Sequence, residues 1–478
     1  MERSLIGKRP SFHQNRRRPN IYRITIWLAL ILAMVWFFLG ISRGEVISPF
    51  LPTPTPTRVA QSYFMEAQAY FNAGKLDDPS NAAAGTTSPP INDAIEAYQA
   101  ALAADPGNVE AWAELARIQT YSSSMLRNDT ERFVRLEEAL ASANRAVELA
   151  PDSSTARAIR AFVLDWYAFN SLVTPQRSQE LLIEAEREAS RAFQFDPENA
   201  LALAFYAEIL VDQQKWTQAE KYALQAVSLG PNLMDTHRVL AYVHESLGQY
   251  NSAIQQYQKA AEISPNLTFL YIRIGQNFRE GIKNPDRALE YFDRAAKINE
   301  QLGIQNPLPY IEIAKTYTQQ GQFFIASVNA EKALSLDPTN AHTYGQLGII
   351  FIRARNYEGA MPLLRCAVQG CTPEENEMGK AQVEGLPLSS LTVAYYYVEY
   401  GTVLAFLSRP NENYCPQAIP ILEQVRTAYS NDAILTNIVE DSLGICRRLE
   451  RGSASYPTEN TPIPRVTETP KTPITQMP

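Results

Sequence analysis

Residues able to carry catalysis are few in this 478-residue chain, and their spacing points away from it. There are four histidines. His13 stands in a basic head. His237 and His244 lie seven residues apart on one helical face, at positions where an apolar pattern demands packing, so core or half-buried imidazole is the reading. His342 opens a helix and is expected to be exposed. The acidic pairs Asp77-Asp78 and Glu137-Glu138 read as solvated charge on helix surfaces or loops. No glycine-rich phosphate loop, no G-x-S-x-G elbow and no HExxH occurs. Neither catalytic residues nor cofactor nor metal is expected, and the chain reads as no enzyme. Asn128-Asp129-Thr130 and Asn266-Leu267-Thr268 match the short acceptor pattern for N-glycosylation.

The four cysteines all come late: Cys366, Cys371, Cys415 and Cys446. No CxxC is present, which leaves zinc without its usual ligand spacing. In an oxidising compartment disulfides are permitted. Cys366 and Cys371 sit five residues apart at the end of one helix. Cys415 opens a later helix, and Cys446 falls near the end of the helix expected to run antiparallel beside it. A Cys415–Cys446 bond would staple the last hairpin to its cap; four half-buried thiols are the alternative.

Charge is distributed unevenly. The chain carries −8 in all, yet residues 1–23 hold seven Lys/Arg against Glu2 alone. Residues 24–450 hold 33 basic and 48 acidic residues, so the body is acidic. That body argues against a nucleic-acid partner, because phosphate contacts need clustered Lys/Arg. Behind the basic head, Ile24–Ile41 is an apolar run with no charge inside it. Some 18–20 residues at about 1.5 Å each just cross a hydrocarbon core. Tyr22, Trp27 and Trp36 stand toward its ends, where amphipathic rings favour the interface. The expectation is one transmembrane helix over 24–41 in the plasma (cell) membrane, with a cytoplasmic head (1–23) and the body extracytoplasmic. A cleaved signal peptide is the competing reading, but Gly40-Ile41-Ser42-Arg43-Gly44 is a poor cleavage site.

A Pro/Thr linker (42–57) follows, stiffened by Pro49, Pro52, Pro54 and Pro56. The Thr/Pro-rich tail (451–478) has almost nothing to bury and is expected to be disordered. Between them a pattern recurs. Ala219, Ala223, Ala226 and Pro231 return 34 residues later as Ala253, Tyr257, Ala260 and Pro265, and again as Ala326, Ala330, Ala333 and Pro338. Each set follows a helix with a small residue (Ala207, Ala241, Gly275, Ala314, Gly348) that lets its partner helix approach. Gly248 and Gly321 stand where that first helix must stop. About nine such hairpins fill residues 58–450, closed by a helix over 432–450 with Ile434, Ile438, Leu443 and Leu449 on one face. Three stretches, 76–90, 120–131 and 169–180, add about a dozen residues between paired helices, and 372–388 is inserted between hairpins eight and nine.

The Trp/Tyr, Leu-Gly/Ala, Tyr, Ala, Phe/Tyr, Ala, Pro spacing resembles the tetratricopeptide repeat. The resemblance implies an all-α, right-handed superhelical solenoid whose product is a binding surface. It also implies a concave face lined by the first helix of each hairpin. Mapped by spacing, that face takes Phe64, Gln68 and Phe71, then Glu110, Arg117 and Tyr121. Phe162, Asp165, Trp166, Glu208 and Asp212 continue it, followed by Arg238, Tyr242 and Glu245. Phe269, Gln276 and Arg279 come next, then Lys315, Gln319 and Arg353. Mixed aromatic, amide and charged groups suit a protein or peptide partner, the rings supplying area and the polar groups register. No Lys/Arg run of the kind that clamps a C-terminal carboxylate is present. The expected function is a membrane-anchored scaffold that positions envelope machinery. The alternatives are an assembly element that self-associates through insertions and tail, and a glycan-binding accessory protein.

Overall fold

The computed structural model describes residues 20–42, 58–77, 91–126 and 129–450; in its first stretch side chains are described as far as Trp36. The chain divides into two units, Met1–Arg58 and Val59–Pro478. The first contains α1 (Ile21–Ser42), whose described side chains are all exposed. Among the described residues no helix is long and apolar enough to cross a membrane. The expected span Ile24–Ile41 runs five residues past the last described side chain. Residues 1–19 of the basic head, the linker from 43 to 57 and the tail 451–478 lie outside the described residues.

The second unit is helical throughout, with no strand among its described residues. Helices pair as α2 (Ala60–Asn72) with α3 (Ala94–Ala104), α4 (Val109–Ser123) with α5 (Asp129–Leu149), and α6 (Ser154–Ala168) with α7 (Pro175–Phe195). Next come α8 (Ala200–Asp212) with α9 (Trp216–Leu229), α10 (Met234–Ser246) with α11 (Tyr250–Ile263), and α12 (Thr268–Gln276) with α13 (Pro285–Leu302). The last pairs are α14 (Leu308–Gln319) with α15 (Phe323–Leu336), α16 (Ala341–Arg353) with α17 (Tyr357–Gln369), and α18 (Leu391–Leu407) with α19 (Cys415–Ala428). α20 (Ala433–Glu450) packs against both helices of the final pair. The first helix of one pair also packs on the first helix of the next (α4 on α6, α6 on α8, α8 on α10), which lays these helices side by side along one face.

Local chemistry explains the boundaries. Asp93, Asn108, Ser153 and Asn199 each accept a hydrogen bond from the backbone N–H three residues on and so start α3, α4, α6 and α8. Gly248 and Gly321 take the left-handed conformation, φ 73° and 76°, and end α10 and α14. The same turn is made in other hairpins by Gln214 (φ 62°) and Arg355 (φ 63°), residues with a Cβ that disfavours it. Within the hairpins, the small residue of the first helix meets a large one of the second. A Cβ added to Gly275 would stand 2.4 Å from the Phe292 ring, and one added to Gly348 would stand 2.6 Å from Leu364. Ala207, Ala241 and Ala314 occupy the corresponding buried positions.

Three expectations need correction. The extra residues of hairpins two and three do not emerge as long loops: they lengthen α5 and α7 to 21 residues each. Only short turns then join α4 to α5 and α6 to α7. Thr174 caps α7, and Pro175 fits its first turn, where no N–H is needed. Residues 78–90 of the first insertion lie outside the described residues. The insertion 372–388 is pinned: Cys371 and Val383 exchange backbone hydrogen bonds of 3.0 and 2.9 Å, and buried Asn376 donates to Tyr344 Oη and the Ala381 carbonyl. In α20, Ile434 is exposed, and Leu435, Ile438, Val439, Leu443 and Cys446 form the buried face. His342 is half-buried against the Tyr396 ring rather than exposed.

The cysteines are paired as Cys366–Cys371 and Cys415–Cys446. The second bond joins the start of α19 to the last turns of α20. A loop of that length is worth about 3–4 kcal/mol in the chain-entropy view. Cys446→Ser is therefore expected to speed amide exchange in α19 and α20 while leaving α4–α10 unchanged. Gly275→Ala, with the buried Phe292 ring in the way, is expected to cost about 1–3 kcal/mol in denaturant melts. Gln214→Gly should instead add roughly 1 kcal/mol by relieving the left-handed turn.

Candidate functional site

Side chains of the inner helices meet across the inner face between hairpins two and six. Arg117 of α4 donates to Asp235 of α10 at 2.9 Å and to Glu114 at 2.6 Å, and its guanidinium lies over the Phe71 ring. Tyr121, one turn further along α4, donates its hydroxyl to the other oxygen of Asp235. Arg238 of α10 completes the junction, with Nε donating to Tyr121 Oη (3.1 Å) and both Nη atoms gripping Glu208 of α8. The Tyr121 ring stacks on Phe269 of α12 and meets Trp166 of α6 edge-on. Hairpin two is thereby tied to hairpins five and six across the inner face.

This closure changes the standing of the expected lining. Phe64, Phe71, Arg117, Tyr121, Phe162, Trp166, Glu208, Arg238, Glu245 and Arg279 are buried. Most of their surface is spent on one another, so they do not form an exposed contact row. Glu245 is held by Arg273, Tyr257 and Asn277. Arg279 is held by the Glu312 carboxylate, and it donates to the Glu312 carbonyl and Thr316 as well. Against the upward pull of burial, Arg279 and Lys315 hold the Glu312 carboxyl down to about 2. Tyr242, Phe269, Gln276, Lys315 and Arg353 remain half-buried, and of these Tyr242 and Phe269 border open space.

That space is a small, open-mouthed cleft of about 50 Å3. α6 contributes Asp165 and Trp166, α8 contributes Glu208 and Asp212, and α10 contributes Arg238 and Tyr242. Tyr257 of α11 and Phe269 and Arg273 of α12 line the rest, with Phe169, the residue that ends α6, at a more exposed position. Tyr242 donates to Asp212 at 2.6 Å. Asp165 and Asp212 lie beside each other in the cleft wall, close enough to shift one another's titration. Burial, then the proximity of Asp212 and Glu208, pushes Asp165 well above the carboxylate range; burial with Glu208 nearby pushes Asp212 up to about 7. Oδ1 of Asp165 is buried with no donor against it. Arg273, Tyr257 and Phe169 were not part of the expected lining. A signal for the lattice exists in the chain: Glu208 and Arg238, and likewise Asp212 and Tyr242, stand 30 residues apart, one on each of two consecutive inner helices.

Among the described residues no group of three or more His, Cys, Asp or Glu is placed to hold a metal ion. The cleft combines aromatic walls, fixed ion pairs and two neighbouring carboxyl groups. His237 is buried between Gln256 and the Pro231 carbonyl, as a packing residue is.

In comparison with known proteins, residues 91–120 and 207–268 match the family model of the tetratricopeptide repeat. Among curated proteins it is similar to anaphase-promoting complex subunit 3 of Schizosaccharomyces pombe, 26% identical over 166 residues, which is 35% of this chain and 24% of that protein. It is also similar to the human mitochondrial import receptor subunit TOM70, 26% identical over 173 residues, 34% of this chain and 26% of that one. The chain thus spans about a quarter of the length of each of these relatives. Among solved structures, a tetratricopeptide repeat protein of Parabacteroides merdae is 15% identical and aligns over 59% of this chain and 99% of its own, with a TM-score of 0.41. One from Thermus thermophilus is 19% identical over 46% of this chain and 99% of its own, with a TM-score of 0.36.

Two outcomes follow from the charge lattice. Arg117→Ala strands Asp235 without its cation and should cost about 3–5 kcal/mol in denaturant melts. The raised carboxyls also set a pH dependence. A carboxyl whose folded pKa lies above its unfolded one stabilises fully below the unfolded value, and that stability is lost as pH rises through the folded value. Asp212 and Glu399, the latter also pushed up to about 7 by burial, should therefore make the melting temperature fall between about pH 4 and 7. Asp212→Asn combined with Glu399→Gln should flatten that slope.

Proposed function

We propose that this protein is a membrane-anchored scaffold that holds a segment of a protein partner in the cleft bordered by α6, α8, α10 and α12. The observation that carries the reading is the cleft itself. Trp166, Tyr242 and Phe269 supply rigid aromatic area beside fixed charges, the combination that dominates binding energy where partners dock. Every arginine bordering it is already bound to a carboxylate, so the site is preorganised rather than assembled on binding. The tetratricopeptide repeats point the same way, since such stacks present surfaces rather than reaction centres.

Anchoring rests on the apolar run Ile24–Ile41 behind seven basic residues, and on the exposure of every described side chain of α1. The positive charge before the run favours a cytoplasmic head and an extracytoplasmic solenoid. Two disulfides in the last hairpins suit that compartment.

The test is purification of the full-length chain from gently solubilised membranes through a tag on its C-terminal tail. A near-stoichiometric partner is expected, lost on Phe269→Ala and retained on Phe324→Ala, a change at an exposed ring of α15. A partner unaffected by Phe269→Ala, or only self-association, would move the contact surface elsewhere. Recovery of the chain in the soluble fraction without detergent would remove the anchor.

A further inference from the structure

Most charge in the cleft is balanced locally. Glu208 is gripped by Arg238 through both nitrogens, and Glu245 by Arg273. Asp235 has Arg117. Asp165 and Asp212 are different: they face each other, and no base pairs with either. The groups around them are Glu208 and Arg238, already paired, and the hydroxyl of Tyr242, already given to Asp212. Asp165 is 1% exposed, and its Oδ1 has no donor. A buried polar atom in this state destabilises the fold unless something supplies the missing donor. Beside it stand the faces of Trp166, Tyr242 and Phe269, which attract a cation through their ring quadrupoles.

We infer that the Asp165–Asp212 pair is the receptor for an organic cation, an ammonium or guanidinium on an apolar stem, which enters between the aromatic walls and donates to both carboxyl groups. This rests on the scaffold reading above, and the natural carrier of such a group is a lysine or arginine side chain of the partner segment. The stem lies against the rings. The head donates to the free Asp165 oxygen and to Asp212, and protons held by these carboxyls leave to solvent.

The experiment is calorimetric titration of the full-length protein in detergent. The probes are n-butylammonium, n-butylguanidinium, and acetylated, amidated Ala-Lys-Ala, Ala-Arg-Ala and Ala-norleucine-Ala. Saturable binding of the cations and none of norleucine is expected. Affinity should fall about tenfold or more in Asp165→Asn and in Asp212→Asn, the loss expected of a charged hydrogen bond. It should rise as pH is raised through about 7, as the pair gives up its proton more easily. The asparagine at 165 should also raise the melting temperature of the free protein, because an unpaired acid has been removed. If one variant fails to fold, the other carries the test. Peptides that bind tighter than butylammonium identify a partner side chain as the source; equal affinity identifies a free amine. Norleucine binding as well as lysine, no binding of any cation, or binding that survives both substitutions overturns the inference. The scaffold reading is judged separately, by whether the co-purifying partner is still lost on Phe269→Ala.

Discussion

The contact on which the inner face depends is the one among Arg117, Tyr121, Asp235 and Arg238. A stack of helical hairpins ordinarily holds itself together through neighbours alone. Here residues more than a hundred positions apart share one carboxylate, and Arg238 passes that constraint on to Glu208 and so to α8 and α6. Each ion sits in low dielectric, where a lost partner is costly and a complete set is rigid. The junction fixes the spacing of α4, α6, α8 and α10, and through the stacking of Phe269 on Tyr121 it fixes α12 as well.

The cleft is a consequence of that junction. With the aromatic and charged side chains of α4 drawn across to α10, an open cleft lies among Asp165, Asp212, Tyr242 and Phe269. Its polarity follows from which acids found a base. Glu208, Asp235 and Glu245 did; Asp165 and Asp212 did not.

Much of the architecture is legible along the chain, because a solenoid's rules are local. The 34-residue alanine pattern, the small residue facing a large one and the glycine at the end of the first helix all act within one hairpin. The structure has the corresponding elements: buried Ala219, Ala223 and Ala226, Gly275 against Phe292, and Gly248 at φ 73°. The longer helices α5 and α7 were harder to see. Extra residues between two helical patterns can extend a helix as well as form a loop, and Arg135 and Thr174 decide the matter through a contact to Asp77 and a cap.

What the sequence by itself determined is the repeat, hence the hairpins, their order, and which helix of each pair faces inward; each depends on residues within a few turns of one another. It also placed Arg117, Tyr121, Asp165, Trp166, Glu208, Asp212, Arg238 and Tyr242 on that inward row. Which of them meet was decided only in three dimensions. The separation of Arg117 from Asp235, or Tyr121 from Phe269, follows no period. It depends on the accumulated rotation of four hairpins, and a small change in each would part them. Tertiary structure therefore chose which groups are consumed in holding the stack closed and which pair of carboxyls is left facing the cleft.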